Sequence, residues 1–323
     1  MKFLLAESRS TTLHLAPMEG VVDWVMRDFL TQIGGVDHCV TEFIRVVDKV
    51  YPDYVYHRYC PELKTNSQTR SGVPVFVQLL GGQAEPMALN AQKAVSLGAR
   101  GIDLNFGCPA KTVNKNDGGA ALLKSCDRVY DIVSAVRTAL PKEIPVTAKI
   151  RLGFDHPTSC IDIAQAVEAA GAEWITIHCR TKTDGYKPPA YWDWIPKIKE
   201  KTKIKIVANG EIWTVADFNR CKEVTDCDDF MIGRGVLSDP FLFRKISDKT
   251  SSATLDSDWS KIKLLLPQFF EASQIYRHEE FAISRTKQWL RALSLKNPQA
   301  KDFFDEVKII LKPKEFQQRL DRL

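Results

Sequence analysis

Cys108 stands between glycine and proline in Asn105-Phe106-Gly107-Cys108-Pro109, directly ahead of the polar stretch from Ala110 to Gly119. A cysteine taken at random reads best as a small buried apolar residue. This one ends an apolar run, is stiffened by Pro109, and precedes a loop that Gly118-Gly119 can hinge. That setting suits a reactive thiol on a closing segment. A free thiol with a pKa of about 8.5 is mostly protonated near neutrality, so it can act as a general acid. Other apolar runs also close on polar side chains: Met18-Glu19, Glu42, Gln78, Asn105, Lys149 with Arg151, His178 with Arg180, Asn209 with Glu211, and Gly233-Arg234. One such closure is ordinary; the whole series predicts a lined pocket. Asn209-Gly210-Glu211 and Gly233-Arg234-Gly235 combine backbone freedom with a cation, which predicts an anion or phosphate site. Lys149 and His178 are then placed to face the rest of a phosphorylated, planar cofactor.

These side chains can meet only if the runs carrying them lie side by side. The runs are 13–18, 38–43, 74–80, 101–106, 145–153, 174–180, 205–210 and 229–235, mostly rich in Val, Ile, Leu or Phe. Short apolar runs of this kind suit strands buried on both faces. Between them, 87–99, 126–140 and 160–172 place apolar residues at helical spacing. Eight strand-helix repeats predict a (β/α)8 TIM barrel of class α/β, with its site at the carboxyl ends of the strands and a phosphate after the last two. A doubly wound sheet is the other arrangement, but no G-x-G-x-x-G follows the first run.

The pattern changes near Ile246. The polar stretch 247–258 reads as a linker, and only helical segments follow. Pro298 and Pro313 sit near breaks, and Pro267 is expected to kink or split the first helix. The chain therefore divides into a barrel, 1–246, and a small all-helical bundle domain, 247–323. The 323 residues carry a net charge of +5 and are 44% hydrophobic and 26% charged. This excludes wholesale disorder and permits, without demanding, a polyanionic partner. From residue 250 onward there are 13 Lys and Arg against 10 Asp and Glu. No run is long enough for a membrane span, and residues 1–10 are too short an apolar stretch for a secretory signal. Eight cysteines lie scattered, without C-x-x-C or zinc-finger spacing. The expectation is a soluble, cytoplasmic, metal-free protein with reduced thiols. A closed barrel has no free sheet edge, so a monomer is expected.

Seven segments, LAPMEGVVD (15–23), LNFGCPAKTV (104–113), GGAALLK (118–124), AKIRLG (148–153), IHCRT (177–181), ANGEI (208–212) and MIGRG (231–235), resemble the tRNA-dihydrouridine synthases, in order and over nearly the whole chain. TEFIRVVD (41–48) and KQWL (287–290) resemble the C-type branch of that family, which modifies uridine 16 of the tRNA D-loop. The resemblance implies bound FMN, NADPH as reductant, and a helical carboxyl-terminal domain that helps hold tRNA at its D-arm. It implies that Pro17, Met18, Glu19 and Gln78 contact the flavin, with Lys149 and His178 also against it. Asn209, Gly210, Glu211, Gly233 and Arg234 would hold the phosphate end. Cys108 matches the catalytic acid, and Asn105 would meet the uracil. Reduced FMN would deliver hydride to C6 and Cys108 a proton to C5, giving 5,6-dihydrouridine. Arg45, Tyr186, Lys287, Trp289, Arg291 and Lys308 are the candidate tRNA contacts. Reaching a uridine inside folded tRNA implies base flipping. No dinucleotide fingerprint is present, so NADPH is expected to reduce the flavin and leave before tRNA enters.

Two other readings compete. A flavin barrel acting on a small pyrimidine, similar to dihydroorotate dehydrogenase, leaves the basic helical segment and KQWL unexplained. A non-catalytic RNA-binding barrel leaves the cysteine, lysine and phosphate segments unexplained.

Overall fold

The computed structural model describes residues 11–247, 259–276 and 278–323. The amino-terminal residues 1–10 and nearly all of the expected linker lie outside the described residues. Nine strands form the sheet: β1 (Thr12–Leu15), β2 (His38–Val40), β3 (Ile44–Arg45), β4 (Val75–Leu80), β5 (Ile102–Asn105), β6 (Val146–Arg151), β7 (Trp174–His178), β8 (Lys205–Asn209) and β9 (Asp229–Ile232). All neighbouring pairs are parallel. β1 pairs with both β2 and β9, and β2 and β3 both pair with β4. The sheet therefore closes, with β2 and β3 as two parts of one stave: the expected (β/α)8 barrel. The expected helical stretches appear as Ala84–Ser96, Cys126–Ala139 and Cys160–Ala169. β4, with sequence VFVQLL, is buried at every position, as a strand covered by barrel on one face and helix on the other must be.

Side chains alternate across a strand, and here one parity is apolar and the other polar. Asp103 and Asn105 of β5 and Thr147 and Lys149 of β6 share the inner face with Gln78. Gln78 Nε2 donates to Asp103 at 2.7 Å and Thr147 Oγ1 donates to it at 2.6 Å. The register sets Asn105 opposite Lys149, Arg151 opposite His178, and His178 opposite Asn209. The strand-closing residues thus gather at the carboxyl end of the barrel.

The opposite end of the barrel is plugged by rings. His38 lies 4.3 Å from Phe76, 5.5 Å from Trp174 and 5.0 Å from His14, between ring centroids. Burial pushes the His38 pKa well below its ordinary value, and His14 and Lys205 push the same way. Asp229, 3.7 Å from His14, also faces the cluster and is paired with Lys205 at 2.9 Å. The unfolded chain binds a proton at His38 below about pH 6.5 and the folded chain resists it. Its contribution is therefore complete above that pH and is lost as pH falls, by up to ~1.4 kcal/mol per unit. Unfolding titrations from pH 7.5 to 5.5 should show a shallower loss for His38→Leu than for the parent; equal slopes would contradict this assignment.

On the flank of the barrel, the helix Trp24–Ile33 starts at an Asp23 cap and carries the fully buried Arg27. Arg27 donates to both Glu62 oxygens, at 2.9 and 3.0 Å, and to the carbonyls of Val22 and Tyr59. Removing the carboxylate strands a buried charge, at a cost of ~3–5 kcal/mol. Glu62→Ala should show that loss in chemical denaturation, and a loss below about 1 kcal/mol would contradict it.

The carboxyl-terminal segment forms helices Trp259–Tyr276, Glu279–Leu293, Pro298–Val307 and Pro313–Leu320. Pro267 lies inside the first, which continues through it without splitting. Phe269 and Trp289 pack edge-on against Phe29 of the barrel at 5.5 and 5.4 Å, and against each other at 4.9 Å. The Trp289 indole donates to the Leu237 carbonyl at 3.1 Å. At 2% exposure Trp289 cannot grip RNA. That expectation is corrected: the side chain anchors the helices to the barrel. Among the described residues, no helix is long and apolar enough to cross a membrane, and no group of three or more His, Cys, Asp or Glu could hold a metal ion.

Candidate active site

A cavity of about 570 Å³ opens at the carboxyl ends of the strands, within the usual size of ligand sites. Pro17, Met18, Glu19, Gln78, Asn105, Cys108, Lys149, His178, Tyr186, Asn209, Gly210, Glu211, Gly233 and Arg234 all line it. Arg45, Lys287, Trp289, Arg291 and Lys308 are not among its lining residues.

Cys108 is half-buried at the cavity wall. The Asn105 side-chain carbonyl accepts the N–H groups of Gly107 and Cys108 at 2.9 and 3.0 Å, the side-chain-to-backbone turn that asparagine favours. The Cys108 carbonyl accepts from Ala120 N and from Asn114 Nδ2. Gly119 has φ +59°, and a Cβ there would stand 2.9 Å from the Cys108 carbonyl oxygen. Its glycine is required by this close approach as well as by the backbone conformation. Burial raises the Cys108 pKa above its ordinary value. The charge of Glu19 pushes the same way, while the Ala110 N–H, Arg151 and Arg45 pull down. The thiol is therefore protonated at neutral pH and available as an acid. Arg45 is near enough to act on Cys108 without lining the cavity.

Asn105 has less freedom than a substrate contact needs. Its oxygen serves the cysteine loop and one N–H goes to Gln78 Oε1 at 2.8 Å, leaving one N–H for a ligand. Gln78 is spent in the same way, between Asn105 and Asp103.

Lys149 extends from β6 to Asn209 Oδ1 at 3.1 Å, while the Asn209 amide donates to the Met231 carbonyl at 2.7 Å. Burial and the neighbouring Arg151 bring the lysine down to about 8, so it is still mostly charged at neutral pH. His178 is driven well below its usual range by burial, then by Arg151, Lys149, Arg180 and Arg234. It is neutral at pH 7, and its Nδ1 has no hydrogen-bond partner in the chain. Neutral His178 can accept or donate a hydrogen bond but is a poor general acid.

Glu211 does something other than hold a phosphate through its side chain. Its carboxylate pairs with Arg180 at 2.8 Å and Arg234 at 2.7 Å, and a second anion there would be repelled. It braces the two arginines, so any anion contact from this residue is left to its backbone. Arg234 also lies over the rings of Tyr186 and Trp213, at 5.1 and 4.9 Å. Gly233 is close-packed, since a Cβ would meet Ala16 and Met18 at 3.3 Å. Tyr186 is exposed at the rim, edge-on to His178 at 6.0 Å.

Glu19 is exposed at the cavity mouth, and Glu42 lines the same wall. Partial burial and the charge of Glu42 push Glu19 up to about 7.

The outer residues separate. Arg291 is exposed. Lys308 pairs with Asp305 at 2.9 Å. Lys287 donates to the Lys308 and Ile310 carbonyls. It closes the carboxyl end of the later helix Pro298–Val307 rather than standing free for RNA, a correction to its expected role.

The dihydrouridine synthase (Dus) family profile matches residues 14–322. The chain belongs to that family. It is 47% identical over 297 residues to the tRNA-dihydrouridine(16) synthase of Aquipseudomonas alcaligenes, covering 92% of this chain and 94% of that protein. It is 46% identical to the protein of the same name from Pseudomonas syringae pv. tomato, with the same coverage. Its fold is similar to the old yellow enzyme homologue of Zymomonas mobilis. The TM-score is 0.51 at 13% identity, covering 75% of this chain and 89% of that one.

Three cavity residues of this dihydrouridine synthase carry more than sequence reading assigned to them. Arg151 donates to the Gly107 carbonyl at 2.9 Å and to those of Thr181 and Gly185, tying the cysteine loop to the Tyr186 loop. Glu42 accepts the Gly20 N–H at 2.5 Å. Trp213 forms part of the Arg234 platform. Arg151 and Glu42 close apolar runs, the signal that singles out their neighbours; Trp213 gives none.

Proposed function

We propose that the chain reduces uridine 16 of the tRNA D-loop to 5,6-dihydrouridine, with FMN in the cavity and NADPH as reductant. The observation that carries this reading is the meeting of Cys108, Lys149, His178 and Arg234 around one cavity at the carboxyl ends of the barrel. The residues present fit a flavin phosphate ester. The unpartnered Nδ1 of His178 and the charged Lys149 offer polar contacts to a ring system. Arg234, with the close-packed Gly233 and with Gly210 at φ +123°, offers a cation and backbone for the phosphate. Pro17, Met18 and Glu19 would close the other side, with Gln78 reaching the ring through its one remaining N–H or its spare acceptor capacity. Bound FMN, once reduced, supplies a hydride to C6 of uracil.

The chain's own residues do the rest. Asn105 holds the Cys108 backbone, and the Cys108 thiol donates its proton to C5. Charge developing toward O4 of the uracil is stabilised by the cationic wall of Lys149 and Arg151. The remaining Asn105 N–H and Tyr186 at the rim meet the flipped base. The division of labour follows residues 1–246 and 247–323, the first holding flavin and the second helping to hold the D-arm through Arg291 and Lys308, with Arg45 from the barrel. The protein works as a cytoplasmic monomer.

Purified protein mixed with FMN should retain it through gel filtration and show NADPH-dependent bleaching of the flavin band without tRNA. A protein that takes up no flavin would overturn this reading.

A further inference from the structure

The described helices of the carboxyl-terminal segment do more than present a surface, because one of them holds a loop that forms part of the cavity wall. The loop after β1 contributes Pro17, Met18, Glu19 and Val21 to that wall. It turns at Gly20, with φ +69°, and its own hydrogen bonds are few: Val21 N and Val22 N both return to the Met18 carbonyl. The outward carbonyls of Gly20 and Val21 are met instead by the helix Glu279–Leu293. Arg285 Nη1 donates to the Gly20 carbonyl at 3.1 Å and Nη2 to the Val21 carbonyl at 2.6 Å. Gln288 Nε2 donates to the Gly20 carbonyl at 3.1 Å and its oxygen accepts from Arg285. Arg285 Nε also lies 3.2 Å from Asp23, whose other oxygen caps the next helix. On the far side Glu42 receives the Gly20 N–H at 2.5 Å. Gly20 is thus gripped from both peptide faces.

Arg285 is 5% exposed. A guanidinium that deep, on the same helical face as Trp289 one turn later, is no solvated surface charge. Its planar fork delivers two parallel bonds to adjacent carbonyls, which an ammonium cannot reproduce.

We propose that Arg285, assisted by Gln288, is a positioning residue that fixes the Gly20 turn and thereby sets the wall the flavin packs against. This rests on reading the cavity as the flavin site. The helical segment is then needed to form the cofactor pocket, and not only to hold RNA.

The test uses the full chain. Arg285→Lys keeps the charge facing Asp23 and loses the paired carbonyl bonds. Gln288→Ala removes the second donor from an exposed position and keeps the fold if Arg285→Lys does not. Hydrogen exchange is measured on the flavin-free protein, and FMN affinity by fluorescence titration. The Gly20–Val22 amides should exchange at least tenfold faster in Arg285→Lys, with β6 amides unchanged, and FMN should bind about tenfold more weakly. Gln288→Ala should shift both in the same direction by a smaller factor, and Lys301→Ala should shift neither. Parental exchange at Gly20–Val22 in both variants would overturn the clamp. Faster exchange with unchanged FMN affinity would overturn its control of the pocket. A parent that binds no FMN would remove the flavin reading and, with it, the cofactor half of the proposal, while exchange alone still decides whether the clamp exists.

Discussion

Cys108→Ala is expected to bind FMN and accept electrons from NADPH normally while forming dihydrouridine about 10²–10⁴ times more slowly. The physical case rests on what alanine leaves intact. The loop is held through backbone atoms: the Cys108 N–H on Asn105, and the Cys108 carbonyl on Ala120 N and Asn114. None of these needs the sulfur. The variant therefore removes a proton donor from a preserved wall. Its raised pKa keeps that donor loaded at neutral pH. Cys108→Ser, a much weaker acid, should stay well below the parent. Single-turnover reaction of the prereduced enzyme with unmodified tRNA isolates this step from flavin reduction. An alanine variant within threefold of the parent would remove Cys108 from the chemistry.

Trp289→Ala should destabilise the folded chain by ~3–5 kcal/mol. The indole fills the space between Phe29 and Phe269 and satisfies the Leu237 carbonyl. Truncation leaves a cavity at the seam between helices and barrel and an unpaired carbonyl within it. An RNA-gripping tryptophan makes the opposite forecast: weaker tRNA binding with unchanged unfolding. Denaturation of the flavin-free protein, read beside the KM for tRNA, separates the two. A loss below about 1 kcal/mol would restore the RNA reading.

Much of the barrel is visible in the chain because its strands are short, apolar and bounded by polar closures. The apolar runs are plain at 74–80 and 145–153, and the closures lead directly to the cavity wall. The interrupted stave is not visible: 38–43 reads as one run, whereas the strand stops at Val40 and resumes at Ile44. Pairwise commitments are also invisible. Gln78, Asn105 and Asn209 look like free ligand-binding amides until their partners on other strands appear. Glu211 looks like a phosphate-loop residue until Arg180 and Arg234 converge on it from just beyond the ends of β7 and β9. Trp289 and Lys287 share a segment that reads as an RNA motif, yet one is core and the other closes a helix end. Arg285 carried a faint signal, a charge one turn from Trp289 on the helix's apolar face. Its partners lie some 265 residues away in sequence, a distance across which periodicity is mute.

The central claim is that this cavity reduces one uridine of the D-loop. Purified protein, FMN and NADPH should be incubated with tRNA lacking dihydrouridine, and the modification mapped along the D-loop. The account predicts dihydrouridine at position 16 alone. Dihydrouridine at another position would keep the chemistry and discard the assignment of the target. None at all, with the flavin still bleached by NADPH, would contradict the account and point to a small-molecule substrate.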